Sequence, residues 1–147
     1  MRIAVLNGTN LNLLGVREPN IYGRETLAQI EQAVRGRAKT AGVEVVWHQT
    51  NHEGELVDLI QGLREQADGA LINAGGYTHT SIAIRDALLA VRIPFVEVHL
   101  SNLFAREPER RKSVLADLAI GIVAGFGPRS YVLGFDALIM HLQDHGG

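Results

Sequence analysis

Short apolar segments alternate with amphipathic ones along the whole chain. The apolar segments, each of which predicts a β-strand, lie at residues 3–6, 43–46, 70–72, 93–98 and 120–125. Apolar residues at three- and four-residue intervals predict helices within residues 27–41, 56–63, 82–91 and 131–142. Gly42 ends the first of these helices, and Thr80 or Ser81 caps the third. The pattern therefore predicts strands and helices in alternation.

Strands that alternate with helices join through right-handed crossovers and form a parallel sheet. The strand segments are apolar throughout, as expected where helices cover both faces of the sheet. A closed barrel would need eight strands. We therefore predict an α/β fold in which an open, doubly wound sheet of five parallel strands lies between two helical layers.

Composition narrows the class of protein. The 147 residues suffice for one domain with a sizeable core, predicted over residues 1–147. The 14 basic and 16 acidic residues form no block of like charge, which argues against nucleic acid or membrane partners and favours a small molecule. Cysteine is absent, which excludes disulfides and thiolate chemistry. The apolar runs are too short for a signal peptide or a membrane span, so we expect a cytoplasmic protein.

A long polar loop, residues 7–23, follows the first predicted strand. Loops of more than about a dozen residues in compact domains are usually lids, binding loops or linkers. This loop carries asparagines, an arginine and a tyrosine, together with glycines that can act as hinges. We therefore predict a lid over a binding site.

Polar residues follow several of the predicted strands. Ligands of open parallel sheets bind beyond the carboxyl ends of the strands, so these residues should meet at one edge. They are Asn7, Asn10, Arg17, Tyr22, Asn73, His79, Glu97, His99, Ser101, Asn102, Arg106 and Arg110. This edge is the predicted functional site.

Tyr22 is either a surface packing residue or a general base. A phenol with a pKa near 10 needs a depression of about three units, roughly 4 kcal/mol, to act as a base at neutral pH. Arg17 lies five residues earlier, and its guanidinium supplies much of this pKa depression if the loop closes and excludes water. The pair predicts a phenol activated by a guanidinium under a closed lid.

Glu97 and His99 are two residues apart, so their side chains lie on the same side of an extended strand. A carboxylate in that position fixes the imidazole tautomer and favours its charged form, as a general acid requires. The alternative is a hydrogen-bonded core histidine.

The other candidates also allow two interpretations. His79 either caps a helix or contacts a substrate hydroxyl, and Asn73 is either a left-handed turn residue or an anion or hydroxyl contact. Arg106 and Arg110 are four apart, so one helical turn would present both to the mouth of the site unless they lie on a solvated face. Asp86, taken alone, is typical of a surface carboxylate.

Cofactor sites have little support in the sequence. Residues 125–127 lack the third glycine of a dinucleotide loop, and too little chain follows them. A zinc hydrolase that uses His79, His99 and Glu97 is one alternative function. A non-catalytic binding module with the same fold is another.

Several segments resemble the type II 3-dehydroquinate dehydratases. They are the loop at 7–23, the segment NAGGYTHTS at 73–81, EVHLSN at 97–102 and ARE at 105–107. The resemblance covers essentially the whole chain. It implies a flavodoxin-like fold, assembly of trimers into a homododecamer, and reversible, cofactor-free dehydration of 3-dehydroquinate to 3-dehydroshikimate. That step belongs to the shikimate pathway of aromatic amino acid biosynthesis, and quinate breakdown uses it too.

The resemblance also implies catalytic roles, residue by residue. Tyr22 would be the base, His99 the acid, and Arg17 the lid residue that supports Tyr22. Asn10 would hold a water that stabilises an enolate. The implied mechanism is an anti elimination: Tyr22 removes the C2 proton, the water donates to the enolate oxygen, and His99 protonates the leaving hydroxyl.

Further residues would bind substrate or support the site. The implied substrate contacts are Asn73, His79, Asp86, Leu100, Ser101 and Arg110, with Asp86 reaching the site of a neighbouring subunit. Glu97 would orient His99, and Arg106 would support the site. The sequence departs from the family pattern at Thr9, where proline is usual, at Glu109, where an aromatic is common, and at Lys112, where histidine is common.

Overall fold

The computed structural model describes residues 1–145, and in them a parallel sheet of five strands has the order β2-β1-β3-β4-β5. The strands are β1 (Arg2–Asn7), β2 (Glu44–Gln49), β3 (Gly69–Asn73), β4 (Phe95–His99) and β5 (Gly121–Ala124). Strand order reverses between β1 and β3, as in doubly wound, flavodoxin-like sheets. The predicted fold class is therefore confirmed. The last two residues of the predicted 1–147 domain lie outside the described part.

The α-helices within residues 1–145 are α1 (Pro19–Tyr22), α2 (Leu27–Ala41), α3 (Glu53–Gln66), α4 (Ile82–Val91) and α5 (Arg129–His145). Thr26 and Gln29 form a capping box at the start of α2. The Ser81 hydroxyl accepts from the Ile84 N–H at 3.0 Å, so Ser81 rather than Thr80 caps α4. No helix of this part of the chain has the length and apolar character to cross a membrane.

Each face of the sheet carries its own hydrophobic core. The core beneath α2 and α5 includes Val5, Leu71, Val98, Val34 and Phe135. The core beneath α3 and α4 includes Leu6, Ile72, Phe95, Ile60 and Ile84. Successive residues of one strand enter opposite cores, which explains why the central strands are apolar at almost every position.

Two strands are shorter than predicted. Pro94 has no N–H, so β4 begins after it, although the Pro94 carbonyl still accepts from the Ala70 N–H at 3.0 Å. Gly125 has a φ of +95°, which takes it out of strand conformation at the end of β5. The predicted loop at 7–23 also contains a short helix, α1, which begins at a proline.

The loops that follow β1 and β3 are clamped together at the carboxyl edge of the sheet. The Gly8 N–H donates to the Asn73 carbonyl at 2.7 Å. Gly75 has a φ of +62°, and a Cβ there would lie 2.6 Å from the Thr9 carbonyl oxygen, so a larger residue would push the loops apart. This contact fixes the position of the two loops that line the site.

Candidate active site

A cavity of about 100 Å³ lies beyond the carboxyl ends of β1, β3 and β4. It is lined by Thr9, Asn10, Leu11, Arg17, Tyr22, Asn73, Gly75, Gly76, His79, His99, Leu100, Ser101, Leu103, Arg106 and Arg110. The set contains every predicted site residue except Asn7, Asp86, Glu97 and Asn102. The structure therefore brings Tyr22 and His99 to the same cavity, as predicted.

Glu97 lies directly behind His99 on β4. The two side chains point to the same side of the strand, and His99 Nε2 is 2.5 Å from Glu97 Oε2. Both residues are buried, Glu97 at 1% and His99 at 5% exposure. The second carboxylate oxygen of Glu97 accepts from the Ser113 hydroxyl at 2.8 Å. The imidazole is thus oriented by a buried carboxylate, which leaves Nδ1 as the ring nitrogen available to a ligand.

His79 is oriented in a different way. Its Nδ1 lies 2.7 Å from the backbone carbonyl of Lys112 and must donate to it, because a carbonyl oxygen only accepts. Nε2 is then the ring nitrogen that accepts from a ligand hydroxyl in the neutral imidazole. Ser81 caps α4, so the capping interpretation of His79 is wrong, and its contact with a substrate hydroxyl stays a prediction. The hydrogen bond from His79 reaches only the backbone carbonyl of Lys112. It is therefore kept although lysine stands at this position, where histidine is common in the family.

Tyr22 lies at the end of α1 between two guanidinium groups. The Arg17 Cζ is 5.0 Å from the ring centroid and the Arg106 Cζ is 5.3 Å from it. Arg106 Nη1 also donates to the Tyr22 hydroxyl at 3.2 Å and to Ser101 Oγ at the same distance. The sequence pointed to Arg17 alone; Arg106 makes the direct contact with the hydroxyl.

The predicted helical turn from Arg106 to Arg110 is wrong. Arg106 is extended, with φ −92° and ψ 178°, and separates two short 3-10 helices, Leu103–Ala105 and Pro108–Arg110. Pro108 disfavours helical backbone at the preceding residue, which breaks the turn. Both arginines still line the cavity, and Glu107 lies between them, 2.5 Å from Arg110 Nε and 3.5 Å from Arg106 Nη2.

Asn73 is the last residue of β3 rather than a left-handed turn residue. Its Nδ2 donates to the Tyr131 hydroxyl at 3.1 Å, and its Oδ1 accepts from the Gly75 N–H at 3.1 Å. The Tyr131 hydroxyl in turn donates to Asn7 Oδ1 at 2.6 Å. Burial raises the pKa of Tyr131 above its ordinary value, with the hydrogen bond from Asn73 opposing the shift. Tyr131 is therefore a neutral structural phenol beneath the cavity.

Asn10, within the loop at 7–23, has left-handed backbone with a φ of 68°, a conformation that asparagine tolerates. Its backbone N–H donates to Asn51 Oδ1 at 2.9 Å, which anchors the loop to the segment between β2 and α3. Leu11 and Leu14 are buried in the core, whereas Val16 is 81% exposed. The first half of the loop is thus packed, and the second half, which carries Arg17 and Tyr22, has fewer contacts.

Three arginines line the cavity. Among the described residues that line it, Arg17, Arg106 and Arg110 are cationic and none is Asp or Glu. Partly buried guanidinium groups bind carboxylates and phosphates well. The site is therefore suited to a small anionic ligand.

Some site residues differ from the sequence-based expectation. Asp86 is exposed on α4 and does not line the cavity of its own chain. Leu11 and Leu103 form apolar walls that no motif indicated, because an apolar loop residue has the same pattern whether it packs on the core or on a ligand. Ser113 contacts Glu97 from outside the cavity. The spacing of Ser113 from Arg110 in the sequence does not predict that contact.

The arrangement does not favour the zinc alternative. No group of three or more His, Cys, Asp or Glu side chains within residues 1–145 is arranged to hold a metal ion. His79 Nδ1 is engaged with a backbone carbonyl, and His99 Nε2 faces Glu97. These groups do not converge on a common point.

Comparison with known proteins gives a consistent result. Residues 1–139 match the family model described as dehydroquinase class II. A 3-dehydroquinate dehydratase of Synechococcus sp. is 57% identical over 97% of both chains, and that of Carboxydothermus hydrogenoformans is 58% identical over 97% of this chain and 93% of its own. The crystal structure of type II dehydroquinase from Butyrivibrio crossotus has a TM-score of 0.92 and 43% identity, and covers 95% of this chain and 97% of its own.

Proposed function

The chain belongs to the class II dehydroquinase family and dehydrates 3-dehydroquinate, and we propose that Tyr22 and His99 carry the reaction in the cavity described above. The reaction is a hydro-lyase step of the shikimate pathway and yields 3-dehydroshikimate. The observation that carries the proposal is the pairing, across one arginine-lined cavity, of a phenol close to two guanidinium groups with an imidazole backed by a buried carboxylate.

The first step is removal of a proton from C2, next to the ketone. Tyr22 as phenolate takes the proton on its oxygen, and the electrons of the C–H bond pass to the ketone oxygen to form an enolate. Arg106 donates to the Tyr22 hydroxyl and Arg17 lies over the Tyr22 ring, so both positive charges are close to the phenol that takes the proton. Arg17 completes the arrangement when the lid closes and excludes water.

The enolate requires a donor at its oxygen. A water held by Asn10 supplies this donor in the proposed mechanism, and Asn10 lines the same cavity. Donors aimed at a developing oxyanion are among the largest contributors to catalysis.

The second step is loss of the β-hydroxyl. The enolate electrons re-form the ketone and a carbon–carbon double bond while the C–O bond breaks, and His99 gives its proton to the departing oxygen, which leaves as water. Glu97 supports this role because its carboxylate accepts from Nε2 and holds the ring with Nδ1 available to the substrate. Asn73, His79, Leu100, Ser101 and Arg110 bind the substrate carboxylate and hydroxyls.

The test uses Tyr22→Phe and His99→Ala, assayed by absorbance of the conjugated enone product with a chelator present. Each variant is expected to fold normally and to lose turnover by roughly 10²–10⁴-fold, the usual contribution of a general acid or base. Near wild-type turnover in a folded variant would rule out the role given to that residue. Loss of activity with chelator would favour the zinc alternative, and protease resistance of residues 11–23 unchanged by substrate would favour the inert binding module.

We also propose that the enzyme is a dodecamer built from trimers. Several large apolar side chains are 46–63% exposed in one chain: Leu89, Leu133, Ile122, Ile82, Phe126 and Met140. β5 is also an edge strand with an unpaired side. Light scattering after gel filtration should give a mass about twelve times 16.0 kDa.

Asp86 has its proposed place in this assembly. It is exposed on α4 and lies outside its own cavity, which supports a role at the site of a neighbouring subunit. A cytoplasmic location stays a prediction from the sequence.

A further inference from the structure

The Ser113 hydroxyl both donates and accepts hydrogen bonds. It donates to Glu97 Oε1 at 2.8 Å, and it accepts from the N–H groups of Leu115 and Ala116, both at 3.1 Å. Glu97 Oε2 faces His99 Nε2. Ser113 does not line the cavity, so it contacts the imidazole only through Glu97.

The hydrogen-bonding capacity of a serine fixes the direction of each of these bonds. A hydroxyl has one donor and two acceptor lone pairs. The two backbone N–H groups occupy the lone pairs, so the single O–H of Ser113 must point at Glu97. Oε1 therefore accepts and carries no proton, and any proton shared by the carboxylate lies on the side of His99.

We propose that Ser113 is a positioning residue for the dehydration: it holds Glu97 as an acceptor on both oxygens and so keeps the Nε2–H of His99 facing the carboxylate and Nδ1 facing the substrate. This inference rests on the proposed role of His99 as the acid. Without the serine donor, a carboxylate buried at 1% exposure keeps one oxygen unpartnered and can rotate or accept a proton there. The ring would then lose its fixed tautomer.

The segment that carries Ser113 is braced against α4. Arg85 Nη1 donates to the Val114 carbonyl at 2.9 Å and to Asp117 Oδ1 at 2.6 Å. The Val114 N–H donates to the Thr78 carbonyl at 2.9 Å, and Leu115 is fully buried. The serine therefore has a fixed position from which to hold Glu97.

The competing interpretation is a purely local one. A serine that accepts from two following N–H groups stabilises a turn, whatever its O–H contacts. Both interpretations predict some loss of thermal stability in Ser113→Ala. They differ in kinetics, because only a positioning role acts on the step that His99 performs.

The experiment measures kcat and KM of Ser113→Ala, Ser113→Thr and Ser113→Cys in the full-length enzyme. We expect Ser113→Ala to lower kcat about tenfold, with KM changed by less than about twofold, because Ser113 makes no contact with the cavity. Ser113→Thr keeps the hydroxyl and should restore most of kcat, and Ser113→Cys, with its weak donor, should lie between. If Ser113→Ala fails to fold, the order of kcat in the other two variants decides.

Ser81→Ala is the matched control. It removes a serine hydroxyl that accepts from the Ile84 N–H and makes no contact with Glu97 in the described structure. We expect a lower Tm with unchanged kcat. An equal loss of kcat in Ser81→Ala and Ser113→Ala would overturn the proposal in favour of a local structural effect.

A double-mutant cycle with Glu97→Gln separates this inference from the proposed function. If Ser113 acts through Glu97, adding Ser113→Ala to Glu97→Gln should change kcat by less than about twofold, and full additivity would overturn the proposal. If Glu97→Gln and His99→Ala lose activity but Ser113→Ala keeps full activity, this inference is overturned and the proposed function is not. Full activity in His99→Ala would overturn the proposed function and this inference together.

Discussion

The two sides of the cavity are built differently. On the sheet side, Glu97, His99 and Asn73 are at most 5% exposed and are bonded to other side chains or the backbone. On the loop side, Tyr22 and Arg17 are partly exposed, and the hydroxyl of Tyr22 is held by Arg106 alone among the described residues. The proposed acid thus belongs to the folded core, whereas the proposed base belongs to a more exposed loop, the predicted lid.

Two tyrosines near the same edge show what this difference means chemically. Tyr131 is fully buried with two asparagine partners, and burial raises the pKa of its phenol. Tyr22 has two guanidinium groups and access to the cavity. The same side chain is a structural hydrogen-bonding group in one place and a candidate base in the other. Substitutions on the loop side should therefore change activity, and substitutions on the sheet side should also change stability.

After the proposed acid and base themselves, the largest effect is expected from Arg106, which links the two sides through Tyr22 and Ser101. Arg106→Ala should lower kcat roughly 10²–10³-fold, as for the loss of a donor to a developing anion, with little change in Tm. Arg106→Lys keeps the charge but not the two-pronged geometry and should recover only part of the activity. Steady-state kinetics measures kcat, and calorimetry measures Tm. A lysine variant as active as wild type would show that charge alone suffices.

Glu97→Gln should affect activity and stability together. An amide facing His99 offers a donor where the carboxylate accepted, so the ring loses its tautomer, and kcat should fall roughly a hundredfold. Loss of the buried contacts to Ser113 and His99 should lower the free energy of unfolding by about 1–3 kcal/mol. Denaturant unfolding beside kinetics tests both expectations. Unchanged stability would weaken the contrast between the two sides.

Tyr131→Phe should affect mainly stability. It leaves Asn7 Oδ1 and Asn73 Nδ2 without their buried partner, at a cost of about 2 kcal/mol. We expect kcat to fall by less than about fivefold, because the phenol is neutral and lies outside the cavity lining. Urea unfolding and the enone assay are the measurements, and a loss of activity as large as that of Tyr22→Phe would erase the distinction between the two tyrosines.

The smallest effect concerns Asp117, which braces the Ser113 segment. The hydrogen bond from Arg85 lowers the pKa of Asp117 in the folded state, so the pair stabilises the protein fully above the ordinary carboxyl pKa of about 3.9 and loses this contribution progressively as the pH falls from there through the lowered pKa. Asp117→Asn should therefore lower Tm slightly at pH 7 and by less at pH 3. Tm measured against pH tests this, and an equal difference at both pH values would contradict the pKa argument.

The sequence predicted the sheet side of the site better than the loop side. Apolar runs located the strands, and strand ends located Asn73, Glu97 and His99, because the side-chain period of a strand is fixed. The contact of Arg106 with Tyr22 joins residues 84 apart in the chain through a 3-10 turn and a four-residue helix, and neither element has a hydrophobic period. Ser113 was missed because a single polar residue in a loop does not reveal which way its hydroxyl points.

The central claim is that a lid phenol removes the proton and a core imidazole expels the hydroxyl. The most direct test is proton NMR of 3-dehydroquinate incubated with each variant in D₂O. We predict that His99→Ala exchanges the C2 proton for deuterium while forming almost no product, and that Tyr22→Phe does neither. Rapid C2 exchange by Tyr22→Phe would contradict the account, because the proton would then be leaving to a group other than Tyr22.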